Sequence, residues 1–294
     1  MHVSSLRPRA LLLALTLSAT EAGAQGPIRA DPDPSRLANA PAGEPDGDWQ
    51  VQLGVGALYA PAFLGSKHYQ LRAGPNIEVR YQDRYFVSLI DGIGFDMIKS
   101  DHFRAGPIVK YEQKRRESGK TMLLVAGGRS DALRGLGDVS ATAEAGGYAQ
   151  YQTGGFSAKT EVRKGLGGHD GLIAQIGARY TTQLPGMRVG GRPISLSLGP
   201  RTTIVDKRYN RAYFGVDSGQ SARSGLPLFK AKGGLLSYGA GATLIVPVSA
   251  RLNAAVLGGY DRLAGDAARS PLVRQRGSHN QASVGLGLVY GFGR

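Results

Sequence analysis

Outside the N-terminal segment, His68, His102, His169 and His279 are the side chains best suited to moving a proton or ligating a metal. Each falls in or beside a stretch rich in turn-forming residues. None has the His-x-x-x-His spacing that aligns two imidazoles on a helix, and the sequence contains no Cys. Ser278-His279 and Ser66-Lys67-His68 bring hydroxyl and imidazole close in sequence. Nucleophilic catalysis needs more: a base bonded to the nucleophile and a third group that orients the base. No G-x-S-x-G elbow occurs. GGRSDALRGLGD and KGLGGHDG are Gly-rich without the spacing of a phosphate-binding or dinucleotide-binding loop, so they are expected to be turns. The expectation is a protein with no catalytic, cofactor or metal site, and not an enzyme.

The basic side chains follow another pattern. Arg72, Arg80, Arg104, Lys110, Arg179, Arg201 and Arg251 recur in the polar phase of alternating segments. Lys159 and Arg163 join them, with Glu78, Glu112, Glu144, Glu161 and Asp261 in the same phase. If that phase faces a lumen, the cationic excess favours anions in a pore. Alternatively, opposite charges pair across neighbouring strands and close the interior.

The elements that would position these groups are strands. In WQVQLGVGALYA, Trp49, Val51, Leu53, Val55, Ala57 and Tyr59 alternate with amides and glycines. Leu71 to Tyr81, Phe103 to Tyr111, Val139 to Tyr151, Phe156 to Arg163, Leu172–Tyr180, Ile194–Thr202, Leu236–Val246, Ala250–Tyr260 and Ala282–Phe292 repeat the pattern. Aromatic residues gather near the ends of these runs, and no sustained helical period appears outside the first residues. Short turns at Gln82-Asp83, Lys99–His102, Thr153-Gly154 and Pro247-Val248 alternate with long polar loops at Pro61–Gln70, Glu112–Asp138, Gly165–Asp170, Asp206–Gly233 and Arg262–Asn280. With a tight turn at Asp91-Gly92, the pattern predicts an all-β chain. It would form a closed antiparallel transmembrane β-barrel of about twelve strands, with about ten as the fallback. The apolar phase would meet lipid and the rings would form interfacial girdles.

The ends fit that expectation. Arg7 and Arg9 precede the apolar run Ala10–Ala19, and Ala22-Gly23-Ala24 suits a signal-peptide cleavage site. Residues 1–24 are therefore expected to be a signal peptide, 25–48 a flexible periplasmic leader, and 49–294 the barrel of a bacterial outer membrane. The formal net charge of +14 does not imply nucleic acid in an exported protein. It suits anionic envelope partners: outer-membrane lipid and lipopolysaccharide. Lys114-Arg115-Arg116 is a candidate phosphate holder.

Loop Asp206–Gly233 carries Tyr209, Tyr213, Phe214 and Phe229 with Arg208 and Arg211. Four rings in one loop are too apolar to hang in water, so the loop is expected to fold back over the barrel mouth. Its arginines would then meet carboxylates. Tyr209, Arg211, Tyr213, Phe214 and Phe229 are the candidate lid contacts.

YNRAYFGVDSGQSARSGLPLF (Tyr209–Phe229) and GDAARSPLVRQRGSHNQASVGLGLVYGF (Gly265–Phe292) resemble the MipA/OmpV family of outer-membrane proteins. LRGLGDVSATAEAGGYAQY (Leu133–Tyr151) and RYFVSLIDGIGFD (Arg84–Asp96) fit as well, in order along the chain. One departure is Lys67-His68 after Gly65-Ser66, where family members often carry an Asp. The resemblance implies an outer-membrane barrel serving as a scaffold between a lytic murein transglycosylase and a penicillin-binding protein. Family members described as adhesins keep a third role open beside scaffold and narrow anion-preferring pore.

Overall fold

A computed structural model describes residues 48–119, 124–127 and 130–293. The expected signal peptide at 1–24, and the leader up to residue 47, lie outside the described residues. The strands are β1 (Trp49–Pro61), β2 (Tyr69–Tyr81), β3 (Tyr85–Ser88), β4 (Gly92–Phe95), β5 (Ile98–Lys99), β6 (Phe103–Glu112), β7 (Leu124–Ala126), β8 (Thr142–Thr153), β9 (Phe156–Gly167), β10 (Leu172–Val189), β11 (Arg192–Val205), β12 (Gly234–Pro247), β13 (Leu252–Leu263) and β14 (Asn280–Gly293).

Twelve of them close an antiparallel ring. Each neighbour in the chain pairs with the next, and β1 completes the circle. It holds β14 from Gln50 opposite Gly293 to Tyr59 opposite Val284, and β2 from Trp49 opposite Tyr81 to Pro61 opposite Tyr69. Closure leaves every wall strand a partner on both sides, which is what a β-structure needs where no water can satisfy its backbone. β5 and β7 are short additions, paired to β6 and β2.

Alternation becomes two faces. On β1, Trp49 and Val55 are each 57% exposed while Gln52 is 8% exposed. The apolar phase therefore looks outward and the polar phase inward. Outward rings meet at the rims. Trp49 lies 4.5 Å from Tyr81, and Tyr290 lies 4.6 Å from Phe292, at the short-turn end. Tyr59 stacks on Tyr69 at 5.2 Å at the long-loop end. Ring pairs of this kind contribute about 0.5–1.5 kcal/mol beyond the area they bury.

The tight connection near Asp91-Gly92 divides β3 from β4 and makes the count even. Ser88 Oγ accepts from the amides of Ile90 and Asp91 at 3.2 and 3.1 Å, which turns the chain. Gly92 then adopts φ +87°, and a Cβ there would stand 2.2 Å from the Val109 carbonyl oxygen. Only glycine lets this half-length hairpin pair with β6.

Two features depart from the sequence expectation. Among the described residues the long loops contain four short α-helices: α1 (Lys207–Phe214), α2 (Ser218–Ser224), α3 (Gly265–Arg269) and α4 (Pro271–Arg276). They are too short to show a helical period, although Asp217 and Gln220 form a capping box that marks α2. The second feature is that β10 and β11 are far longer than the segments Leu172–Tyr180 and Ile194–Thr202 that alternation singled out.

Candidate functional site

Three regions could carry function: the capped mouth, the lumen and the short-turn rim. The mouth is built from α1. Asp206 caps it, accepting from the amides of Arg208 and Tyr209 at 3.0 and 2.9 Å. Its inner face buries Tyr209, Tyr213 and Phe214 against Leu64, Val139, Ile173, Val205, Leu236 and Leu263, which come from strand ends and other loops. Tyr209 and Phe214 are 0% exposed, each worth on the order of 2 kcal/mol of burial. The Tyr209 ring meets His169 edge-on at 5.0 Å and Tyr213 at 4.7 Å. Gly171 admits this helix, because a Cβ there would stand 2.5 Å from the Tyr209 nitrogen. Phe229 packs at the edge of a second cluster with Phe63, Leu133, Leu136, Val216, Leu226 and Leu272.

The loops are tied together by long-range polar contacts. Arg115 is buried, its guanidinium 5.4 Å above the Tyr213 ring, and it donates to the Tyr213 carbonyl at 2.6 Å. Burial lowers the Arg115 pKa to about 10, against the raising effect of Tyr213 and Tyr209. Burial likewise raises the Tyr209 hydroxyl well above its ordinary value. Gln281 accepts from the Gly65 amide at 3.0 Å and donates to the Ser66 carbonyl at 3.2 Å. Ser270 Oγ donates to the Phe214 carbonyl at 2.7 Å.

Two expectations about charge at the mouth need correction. Arg208 and Arg211 are exposed and meet no carboxylate among the described residues, because Asp206 is already spent on capping. The run Lys114-Arg115-Arg116 is not a free phosphate holder: Lys114 pairs with Asp138 at 2.7 Å and Arg115 is inside the cap.

The lumen carries a ladder of ion pairs. Lys110 and Lys159 approach Glu161 at 2.8 and 2.7 Å, and Arg163 bridges Glu161 and Glu144. Arg201 grips Asp261 with two bonds, of 2.9 and 2.5 Å. Arg80 binds Glu78 at 2.8 Å and covers the Phe86 ring. At the short-turn mouth Arg104 joins Asp83 at 2.9 Å to Asp96 at 3.0 Å. Burial pushes the Asp83 carboxyl up, but Arg104 and Lys99 outweigh it and hold it at about 2. Arg179 lines the central cavity, whose volume is about 100 Å³, beside Asp91, Lys110 and Arg201. The Nε of Arg72 is buried without a hydrogen-bond partner. Arg251 is not in the lumen. It lies exposed in the turn before β13, where its carbonyl accepts from Gly291 at 2.8 Å, so the strand begins later than alternation suggested.

The histidines are dispersed. His169 is buried, with Nε2 3.1 Å from Glu144, and its Nδ1 accepts from the Gly171 amide at 3.1 Å. His279 bonds the Ala268 carbonyl and His102 the Gln152 carbonyl. Ser278 donates to the Asn280 carbonyl rather than to its neighbour. Among the described residues no group of three His, Cys, Asp or Glu side chains forms a metal cluster.

The third region was not anticipated. β9 last pairs with β10 at Phe156 opposite Tyr180, and β12 last pairs with β11 at Ile245 opposite Ser195. β10 and β11 continue past both neighbours as a free hairpin, Thr182 to Ile194. Gly190 and Gly191, at φ +56° and +79°, make its two-residue turn. The register shifts between Gln183 and Arg188, so Leu184 to Met187 form a bulge. The hairpin carries Arg188 and Arg192, no acidic residue, and Met187 at 54% exposed. Pro185-Gly186 and Gly190-Gly191 were the sequence signals of this turn region. That it projects depends on where β9 and β12 stop.

A family model described as MltA-interacting protein MipA matches residues 53–292. No curated protein matches the chain. Similar solved structures include an outer membrane channel of the COG4313 group from Pseudomonas putida F1, at 12% identity and TM-score 0.43, covering 85% of this chain and 97% of that one. The NanC porin matches at 10% identity and TM-score 0.41, covering 81% and 98%. Pseudomonas putida OprB matches at 14% identity and TM-score 0.34, covering 77% of this chain, which spans 49% of that protein's length.

Proposed function

This chain belongs to the MltA-interacting protein MipA family, and from that premise we propose that it is a non-enzymatic outer-membrane scaffold that holds cell-wall enzymes from below. The barrel sits in the bacterial outer membrane. The observation that carries the scaffold reading is the hairpin from Thr182 to Ile194, which extends past both neighbouring strands on the short-turn, periplasmic side. A barrel wall has no need of these residues. Their edges bear backbone donors and acceptors free of a wall strand, which suits strand addition by a partner segment. Arg188 and Arg192 favour an acidic partner surface, and Met187 and Val189 supply apolar contact.

The partner class follows from the family description: a murein transglycosylase of the MltA kind, with a penicillin-binding protein as the second partner by family resemblance. The narrow anion-preferring pore is less favoured. Four of the cations that would select anions, Lys110, Lys159, Arg163 and Arg201, are paired in the lumen with Glu144, Glu161 and Asp261, and α1 packs over the mouth.

The test replaces Thr182–Ile194 with Asn-Gly in the full barrel. Native gels and boiled-versus-unboiled migration should show an intact barrel. Purified MltA-type transglycosylase should bind the parent and lose binding to the variant. Equal binding by both would refute the hairpin as the docking element, and no binding by either would refute the scaffold reading.

A further inference from the structure

The outer surface of the cap is as cationic as its inner surface is apolar. Lys207, Arg208 and Arg211 occupy the exposed side of α1, and Lys230 and Lys232 are exposed on the segment that returns to β12. The fold holds the two segments together. Asn210 Nδ2 donates to the Lys232 carbonyl at 2.6 Å, and Gly233 packs so closely that a Cβ would stand 2.9 Å from the Lys207 nitrogen.

Nearby acids offset these cations only in part: the Lys232 ammonium stabilises the charge on Asp266, and Asp138 and Asp217 line the adjoining groove. Asp206 caps α1 and Asp217 caps α2. Asp266 accepts from the Lys232 amide and from Arg269. Among the described residues, none of the five side chains is paired with a carboxylate. Five like charges held on one small loop repel one another, and an anion from outside the chain relieves that cost.

The cluster borders a groove of about 820 Å³. Arg211 and Lys230 stand at its edge, and Leu136, Val139, Val216 and Phe229 supply apolar lining. Its height in the membrane is set by the adjoining strands. Ile204 at the end of β11, and Leu235 and Tyr238 at the start of β12, face outward and are exposed. At roughly 3.3 Å per extended residue, Lys232 lies about 10 Å of chain from Leu235. The cations therefore stand just above the lipid-facing belt, at headgroup level.

We propose that this groove and its cationic rim bind the phosphorylated sugar headgroup of an outer-leaflet glycolipid. Arginine and lysine together suit phosphate, the guanidinium by paired donors and the ammonium as a point charge. The apolar lining accepts the faces of the sugar ring. Position above the lipid-facing belt favours a membrane-anchored ligand over a soluble polyanion. This site lies on the opposite rim from the periplasmic hairpin and stands independently of the scaffold reading.

The test uses the whole barrel in detergent, with native mass spectrometry and titration as readouts. The probes are a purified bis-phosphorylated lipid A-type glycolipid, its dephosphorylated twin and soluble heparin. The variant combines Lys207→Gln, Arg208→Gln, Arg211→Gln, Lys230→Gln and Lys232→Gln. A second variant, Lys207→Arg with Lys230→Arg and Lys232→Arg, keeps the charge. The parent and the arginine variant should bind the phosphorylated glycolipid, and the glutamine variant should bind at least about tenfold more weakly. The dephosphorylated twin should bind the parent as weakly as the phosphorylated form binds the glutamine variant. If the glutamine variant does not form a barrel, the two glycolipids on the parent decide alone. Equal binding of both glycolipids to the parent, equal binding by parent and glutamine variant, or binding of heparin without the glycolipid overturns the proposal.

Discussion

Arg115 and Tyr213 are 98 positions apart, yet the guanidinium of one lies over the ring of the other and donates to its carbonyl at 2.6 Å. This contact fastens the loop after β6 to helix α1. It converts two long loops into one packed cap over the barrel. Arg115→Met keeps much of the volume and leaves the buried Tyr213 carbonyl without this donor. An unmet buried acceptor costs about 1–3 kcal/mol. The barrel should still assemble, while protease cleavage within Asp206–Gly233 should accelerate severalfold. Unchanged cleavage would show that the aromatic cluster alone holds the cap.

Cap and ion-pair ladder stand in series along one axis. Removing one leaves the other resistance in place. Deleting Tyr213–Leu226 alone, or combining Glu161→Gln with Asp261→Asn alone, should raise single-channel conductance in planar bilayers only slightly. The combined variant should conduct several times more than the sum of the two. A large rise on deleting the loop alone would mean that the lumen below is open.

Asp83 gives a pH signature. Its folded pKa is about 2, below the ordinary value near 3.9. A depressed carboxylate stabilises the fold above the unfolded pKa and loses that contribution as pH falls through the folded one. The short-turn mouth should therefore be unaffected between pH 7 and 5 and weaken from about pH 4 towards pH 2. Asp83 is partly exposed, so the effect is small. Unfolding temperatures of the parent and of Asp83→Asn, measured across that range, should converge at the acidic end. A constant offset at all pH values would contradict the assignment.

Gly92→Ala tests the half-length hairpin. The residue holds φ +87°, and its new Cβ would meet the Val109 carbonyl at 2.2 Å. Backbone strain alone costs on the order of 1–3 kcal/mol, and the clash adds to it. The variant should yield less heat-modifiable barrel than the parent. A normal yield would mean that β3 and β4 adjust freely, against the pairing seen with β6.

The sequence by itself determined the wall. Side chains on a strand alternate in direction, so burial in lipid on one face and in a polar lumen on the other leaves a local, period-2 record. Trp49, Val55 and Gln52 carried that record without reference to any distant residue. The Asp91-Gly92 turn was legible for the same reason, since a tight reversal needs particular residues within a few positions. The loop motifs between Leu133 and Phe292 likewise pointed to the family.

Tertiary structure decided what the wall supports. Lys114 and Arg115 looked like surface charge until Asp138 and Tyr213 were brought to them, and Arg251 looked inward until the start of β13 was fixed by its pairing with β14. The free hairpin is a difference between the length of β10–β11 and that of β9 and β12, so no window of sequence contains it. Some lumen charges, such as Arg80 and Glu78, meet partners two positions away, but Lys110 with Glu161 and Arg201 with Asp261 meet only because the ring brings their strands together.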